Sequence, residues 1–347
     1  MDTIGLDLHK RESQLCIGRD DGHIIEQRIA TTRERFTAEL GARSRARILL
    51  EASTESEWVA RHLESLGHEV IVADPNFAPM YATRSRRTKT DRRDARTLME
   101  ACRLGAYRIA HRVAAARRHV RAALAVREAL VRTRTRYIAV AKTLVRRDGL
   151  RVAASESHLV AQRIAALELS PALSAELLPL FQVLAPINEQ IDAADCRIAA
   201  LVSADPAMRL LATAPSIGPI TASAIVATAD DVTRFASAHQ FEAFLGLVPG
   251  ERSSGEKRRI GRITKAGNSR VRYLLVEAGW RILRAKSEET AALRAWGLSI
   301  AARRGKRIAV VAIARRLAGI LYAMWRDGVV YDAARLRAPA SGERLTA

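Results

Sequence analysis

Four acidic residues are placed so that their carboxylates could act together. Asp7 lies inside the otherwise apolar stretch 3–8, and Glu51 follows the apolar run 48–50. Asp91 and Asp94, in Lys89-Thr-Asp-Arg-Arg-Asp-Ala95, are spaced i and i+3, so they share one face of a helix that opens there. They fall near its N-terminus, where negative charge is favoured. Brought to one point, four carboxylates would repel one another strongly unless a cation stood between them. Mg²⁺ suits oxygen ligands, with Mn²⁺ as a substitute. Two such ions about 4 Å apart stabilise both the attacking and the leaving oxygen of an in-line phosphoryl displacement.

Each acid also has an ordinary role open to it. Asp7 could end a strand at a turn, Glu51 could partner a helix cap, and Asp91 and Asp94 could pair with Arg87, Arg92 and Arg93. Asp74, at the end of a strand over 69–73, is a fifth acid for which the ordinary role is expected. The concurrence of four such acids in a chain of formal charge +20 favours a metal site. A second feature is Ser253-Ser254-Gly255, inside a basic loop beside Arg252, Lys257, Arg258 and Arg259. On its own this is a turn, although loops of this composition also wrap phosphates through their amides.

The positive charge is concentrated. Residues 84–151 hold 21 Lys and Arg against five acids, and residues 252–286 hold 11 against two, while the remainder of the 347 residues nets slightly negative. Two dense blocks are the footprint of polyanion binding, which excludes an ordinary metabolic-enzyme surface. The candidate contacts are Arg84, Arg86, Arg87, Lys89, Arg92, Arg93, Arg127, Arg132, Arg134, Arg136, Arg252, Lys257, Arg258, Arg259 and Lys265. Sixteen aromatic residues in the whole chain are too few for base stacking to dominate, so phosphate contact is expected. Cys16, Cys102 and Cys196 are too few and too scattered for a disulfide framework or a zinc site, and they point to a reducing compartment. No apolar run approaches 18 residues and the N-terminus carries no targeting pattern, so a cytoplasmic, nucleoid-associated protein is expected.

The acids need elements to gather them. Alternating patterns predict strands over 3–8, 13–18, 23–30, 47–50 and 69–73, with helices over 32–40 and 55–66 and another opening at Asp91. The order β-β-β-α-β-α-β-α resembles the ribonuclease H topology, which includes the RuvC-like Holliday-junction resolvases. In that topology the first and fourth strands are neighbours, so their ends and the start of the closing helix converge. From 114 to 148 a long helix is expected, with heptad columns Leu124, Val131, Ile138, Val145 and Ala123, Leu130, Tyr137, Leu144. A second series, Ile187, Ile191, Ala194, Ile198 and Leu201, follows Pro186. Together these form a coiled-coil connector, either an internal hairpin or a dimerising pair, with Ser170, Pro171 and Pro179 interrupting the region between.

A compact all-α region is expected from Met208. There Pro215-Ser-Ile-Gly-Pro219 joins two apolar helices in a helix-hairpin-helix-like element. A polar loop over 250–268 follows, then helices over 269–285 and 303–325 and a frayed tail from Arg337. The domains are therefore 1–110, 111–205 and 206–330, with a tail over 331–347.

The strings Ile4-Gly-Leu-Asp7-Leu-His-Lys10, Leu50-Glu51-Ala-Ser and Lys89-Thr-Asp91-Arg-Arg-Asp94-Ala resemble the Asp-Glu-Asp-Asp signature of transposases of the insertion-sequence one-ten family. Residues 210–249, then Ser253-Ser-Gly255 and Ile263-Thr-Lys-Ala-Gly-Asn268, resemble its second characteristic domain. That resemblance implies a DNA recombinase with Asp7, Glu51, Asp91 and Asp94 as Mg²⁺ ligands. It also implies a nucleophilic serine in the basic loop, Ser254 or alternatively Ser253, that forms a covalent phosphoserine link to DNA. Further implied are a composite site drawing on two domains, a dimer or tetramer, double-stranded donor and target DNA, and a structured guide (bridge) RNA. Two rivals stand beside it: a structure-selective nuclease that uses the same acids to activate water, and a non-catalytic architectural nucleic-acid-binding protein.

Overall fold

The computed structural model describes residues 1–81, 90–251 and 260–336. The chain forms two compact units, Met1–Val113 and Ala114 onward. The first is a mixed α/β unit and the remainder is rich in helix.

The first unit runs β1 (Thr3–Leu8), β2 (Glu12–Gly18), β3 (Ile24–Ala30), α1 (Arg33–Leu40), β4 (Arg47–Glu51), α2 (Ser56–Ser65), β5 (Glu69–Ala73), a 3₁₀ turn (Ala78–Tyr81) and α3 (Asp91–Leu104). The five strands lie in the order β3-β2-β1-β4-β5. The first three pair antiparallel, whereas β1 pairs β4 and β4 pairs β5 in parallel. Strand alternation sends Ile4, Leu6, Ile48 and Leu50 to one face, where they pack with Phe36 and Leu40 of α1 and Val59 and Leu63 of α2. Leu49 goes to the other face and meets Leu98 and Cys102 of α3. Helix α3 comes very close to β1, because a Cβ on Gly5 would lie 2.0 Å from the Ala95 carbonyl oxygen and 2.3 Å from the Met99 nitrogen. Only glycine permits that approach.

The second unit comprises α4 (Ala115–Arg147), α5 (Val160–Ala165), α6 (Pro171–Ala204), α7 (Pro206–Leu211), α8 (Pro219–Ala229), α9 (Ala238–Phe244), β6 (Pro249–Glu251), β7 (Ile260–Ile263), α10 (Ser269–Arg284), α11 (Glu288–Arg304) and α12 (Lys306–Asp327). Helices α4 and α6 pair as a hairpin within the chain. Arg127 reaches Asp195 and Arg134 reaches Asn188, so seven residues forward on α4 correspond to seven residues back on α6, the mark of an antiparallel heptad seam. Ile138, Ala141 and Val145 are buried there against Leu173, Leu177 and Leu184. At the other end of the hairpin, Val120, Ile198 and Val202 enter the core built by α8, α10 and α12.

Several elements differ from the sequence expectation. Helix α6 runs unbroken through Pro179 and Pro186. Both prolines are exposed, so water can take the carbonyls they leave unbonded, while Leu177, Leu184 and Ile187 hold the opposite face in the core. The stretch 250–268 contains a small antiparallel ribbon, β6 with β7, whose short polar strands carry too little alternation to be seen in sequence. Helix α11 was not anticipated, and the break before α12 falls at Gly305, whose φ of 84° ends one helix and starts the next. Helix α12 is long and apolar enough to span a membrane, but Ile313, Leu317 and Leu321 are fully buried in the core of this unit. The tail from Arg337 lies outside the described residues.

Candidate functional site

The parallel register of β1 and β4 sets Leu6 opposite Leu50, so the next residues, Asp7 and Glu51, emerge side by side at the strand ends. Alternation puts Asp7 on the same face as Gly5 and Glu51 on the same face as Leu49, which is the face α3 covers. On α3, Asp91 precedes Ala95 by one turn on the stripe that contacts β1, and Asp94 lies beside it. Thr90 caps the helix, its hydroxyl accepting from the Arg93 amide, which fixes the first turn that carries both acids. Two parallel strand ends and one capped helix start thus present all four sequence-predicted acids to a common region.

Electrostatics reflect that convergence. Burial above all pushes the Asp7 carboxyl up to about 6; His9 pulls it back more strongly than any single acid raises it, and Asp94, Asp91 and Glu51 each add to the rise. Among the described residues, Oδ2 of Asp7 is buried and accepts no hydrogen bond. An ionisable oxygen left in that state is costly unless a ligand completes it. The donor set of carboxylate oxygens therefore fits a hard divalent cation.

Two neighbours were not picked out from the sequence. The Tyr81 hydroxyl donates to Glu51 Oε1 at 2.7 Å, orienting that carboxylate. His9 Nε2 lies 3.3 Å from Asp7 Oδ2 and 3.4 Å from Asp91 Oδ1. The i, i+2 spacing of Asp7 and His9 was visible, but a histidine just beyond a strand reads as a turn residue. Asp74 takes the ordinary role expected of it. It accepts from the Asn76 amide and from Arg108, both of which lower its carboxyl from the usual range. Cys16 and Cys102 are buried, and burial pushes both thiols up to about 11, so neither offers a nucleophile near neutral pH.

The basic residues divide. Arg127 is mostly buried and ion-paired to Asp195, with Nη2 3.0 Å from Oδ2, and Arg134 donates to Asn188 at 3.2 Å. Both therefore hold the α4–α6 hairpin together. Arg132, although paired with Glu128, keeps most of its surface in solvent, and Arg93, Arg136 and Lys265 are exposed. Arg92 is exposed and paired with Glu26. Arg84, Arg86, Arg87, Lys89, Arg252, Lys257, Arg258 and Arg259 lie outside the described residues, as do Ser253 and Ser254.

What flanks those serines is firmly rooted. Glu251 and Ile260 face each other across the ribbon, and Asn268 caps α10 by accepting from the amides of Arg270 and Val271. A Cβ on Gly267 would lie 1.9 Å from the Phe244 carbonyl oxygen, so the chain after β7 is pressed against the end of α9. The start of α8 offers a phosphate little, since Pro219 has no N–H and the Thr221 and Ala222 amides both bond Gly218 O. A further cluster, Arg303, Arg304, Lys306 and Arg307, is exposed at the α11–α12 turn.

Comparison with known proteins is consistent with this geometry. Residues 4–147 match a family model for the IS110 DEDD transposase domain, described as a transposase, and residues 208–294 match one described as the transposase IS116/IS110/IS902 family. A protein of Sinorhizobium fredii named as transposase y4pF/y4sB is 31% identical over 85% of this chain and 76% of its own length. The chain belongs to the IS110 family of transposases. A probable family 20 transposase of Pseudomonas aeruginosa is 29% identical over 93% of this transposase and 96% of its own length. The transposase for insertion sequence element IS1111A of Coxiella burnetii is 26% identical over 92% and 88%. DNA transposition is therefore the activity, and the DEDD domain carries a dependence on divalent metal.

Proposed function

We propose that this transposase cuts and rejoins DNA at a composite site, with a ribonuclease H-like sheet supplying the carboxylates and the basic loop of the second unit supplying a serine nucleophile. The observation that carries the metal half is the buried Oδ2 of Asp7, which accepts no hydrogen bond among the described residues and stands amid the charges of Glu51, Asp91 and Asp94. Asp7, Glu51, Asp91 and Asp94 would hold Mg²⁺, with Mn²⁺ as a substitute. A divalent cation held there would supply charge stabilisation to the phosphate under attack and would help activate the attacking hydroxyl. Tyr81 keeps Glu51 turned toward the others, and the Thr90 cap keeps Asp91 and Asp94 at the positive end of α3.

In the second unit the nucleophile is Ser254, with Ser253 as its alternative. Its oxygen forms a bond to the scissile phosphorus and gives up its proton as the phosphorus–bridging oxygen bond breaks, the departing oxygen gains a proton to become a hydroxyl, and the bond energy is kept in a phosphoserine for rejoining. Exposed Arg132, Arg136 and Lys265 would bind phosphates. A structured guide RNA, a homodimer or tetramer and a cytoplasmic, nucleoid-associated site of action complete the proposal. Reading of sequence by base pairing suits a protein with few aromatic residues and much positive charge.

A suicide DNA substrate incubated with divalent metal tests the mechanism. A covalent protein–DNA adduct on the wild type, lost in Ser254→Ala and in Asp7→Asn, is expected. Cleavage without an adduct would favour the nuclease that activates water, and DNA binding without cleavage in the wild type would favour an architectural protein.

A further inference from the structure

Among the described residues, Asp7, His9 and Asp91 form a group in which one potential ligand atom from each lies within 4.8 Å of the others. The separations from His9 Nε2, 3.3 Å to Asp7 Oδ2 and 3.4 Å to Asp91 Oδ1, are close to the roughly 3.0 Å between adjacent ligand atoms of an octahedral divalent site. The histidine follows Asp7 by two residues, so it leaves the strand on the same face.

The backbone of His9 is also pinned. Its carbonyl accepts from the Thr31 hydroxyl at 2.8 Å, and Thr31 Oγ1 is in turn 2.6 Å from Ser13 Oγ. Among the described residues no partner other than the two carboxylates is seen for Nε2. The backbone that carries the imidazole is thus fixed, and its Nε2 stands between two acids.

We propose that His9 is a nitrogen ligand of the cation site, joining Asp7 and Asp91, and that it shifts the site's preference from Mg²⁺ towards Mn²⁺. The proposal rests on the carboxylate site put forward above. An all-oxygen set suits Mg²⁺, which tolerates nitrogen poorly, whereas imidazole binds the first-row transition ions well. The acids alone would make a site suited to Mg²⁺, and His9 would turn it towards Mn²⁺.

The test uses the full-length protein, with Mn²⁺ alone and Mg²⁺ alone as probes. Binding is measured by calorimetry, and the Mn²⁺ complex is examined by pulsed electron paramagnetic resonance for coupling to ¹⁴N. Wild type should show nitrogen coupling that disappears in His9→Ala. That variant should bind Mn²⁺ about tenfold more weakly while Mg²⁺ affinity moves less than about threefold. His9→Asp, which puts an oxygen in the same place, should still bind an ion, without nitrogen coupling and with the preference moved to Mg²⁺. Circular dichroism melts would establish that the variants are folded.

Manganese bound by the wild type without nitrogen coupling, yet lost in Asp7→Asn, would overturn the role of His9 and leave the carboxylate site standing. Tighter Mn²⁺ binding by His9→Ala would also overturn it, marking the histidine as a counter-ion to the acids. A wild type that binds neither ion, or an Asp7→Asn that binds both unchanged, would remove the carboxylate site itself and this inference with it.

Discussion

Asp7 is the residue on which the chemistry turns, because its carboxylate is largely buried beside three others and, among the described residues, only His9 opposes that charge. Asp7→Asn should lower strand cleavage and exchange by about 10²–10³-fold while leaving DNA affinity intact. Unchanged recombination in that variant would exclude a catalytic cation at this place. The same residue sets a pH signature for stability without metal. Its carboxyl rises from 3.8 in the unfolded chain to about 6 in the folded one, so the folded state holds the proton more tightly. Stability from this group is fully present below the unfolded value and is lost as pH climbs from about 4 to about 6. Melting curves of the metal-free wild type should therefore fall relative to Asp7→Asn across that window, and added Mn²⁺ should reverse the fall at pH 7. Parallel curves for the two proteins would show that Asp7 is not under this strain. The four acids could be singled out in the sequence because Asp7 lies within an apolar strand, Glu51 ends another, and Asp91 and Asp94 share a helix face at i and i+3. Tyr81 and His9 could not, since a tyrosine in a turn and a histidine after a strand look ordinary until the fold sets them beside those acids.

Among the elements, the contact of α3 with β1 decides whether the acids meet at all. Gly5→Ala places a methyl group within 2.0 Å of the Ala95 carbonyl oxygen, so α3 must move away from the sheet. Loss of high-affinity metal binding and a lower melting temperature are expected although no acid has changed. A Gly5→Ala protein that binds Mn²⁺ like the wild type would mean that α3 does not position the site. In the α4–α6 hairpin, Leu177 is fully buried, and Leu177→Ala should cost about 2–5 kcal/mol in denaturant unfolding. A cost below 1 kcal/mol would place that seam outside the cooperative core. The strands and helices of the first unit were legible as short apolar or alternating runs separated by turn residues such as Asp20–Gly22 and Gly67. Helix α6 was only half legible, since its prolines are accommodated by solvent on the outer face, a fact of packing. The β6–β7 ribbon was missed because strands of three and four residues are too short for any period to show.

At the level of the whole molecule, the charge map read from sequence located the basic blocks but not which arginines face outward. Arg127 and Arg134 bond across the hairpin, whereas Arg303, Arg304, Lys306 and Arg307 escaped notice because they fall outside both blocks. Replacing those four by alanine should weaken duplex DNA binding and reduce the slope of log affinity against log salt by about 2–4. An unaltered slope would show that the α11–α12 turn does not touch phosphate. Double replacement of Arg132 and Arg136 should reduce the slope by about 1–2. The central question remains whether the sheet ends and the start of α3 form one cation site. Anomalous diffraction from a crystal of the full-length transposase soaked in Mn²⁺ answers it most directly. A peak enclosed by Asp7, Glu51, Asp91 and Asp94 is expected, with oxygens at about 2.0–2.2 Å. Manganese found only elsewhere, with those four carboxylates paired to arginine or lysine, would contradict it.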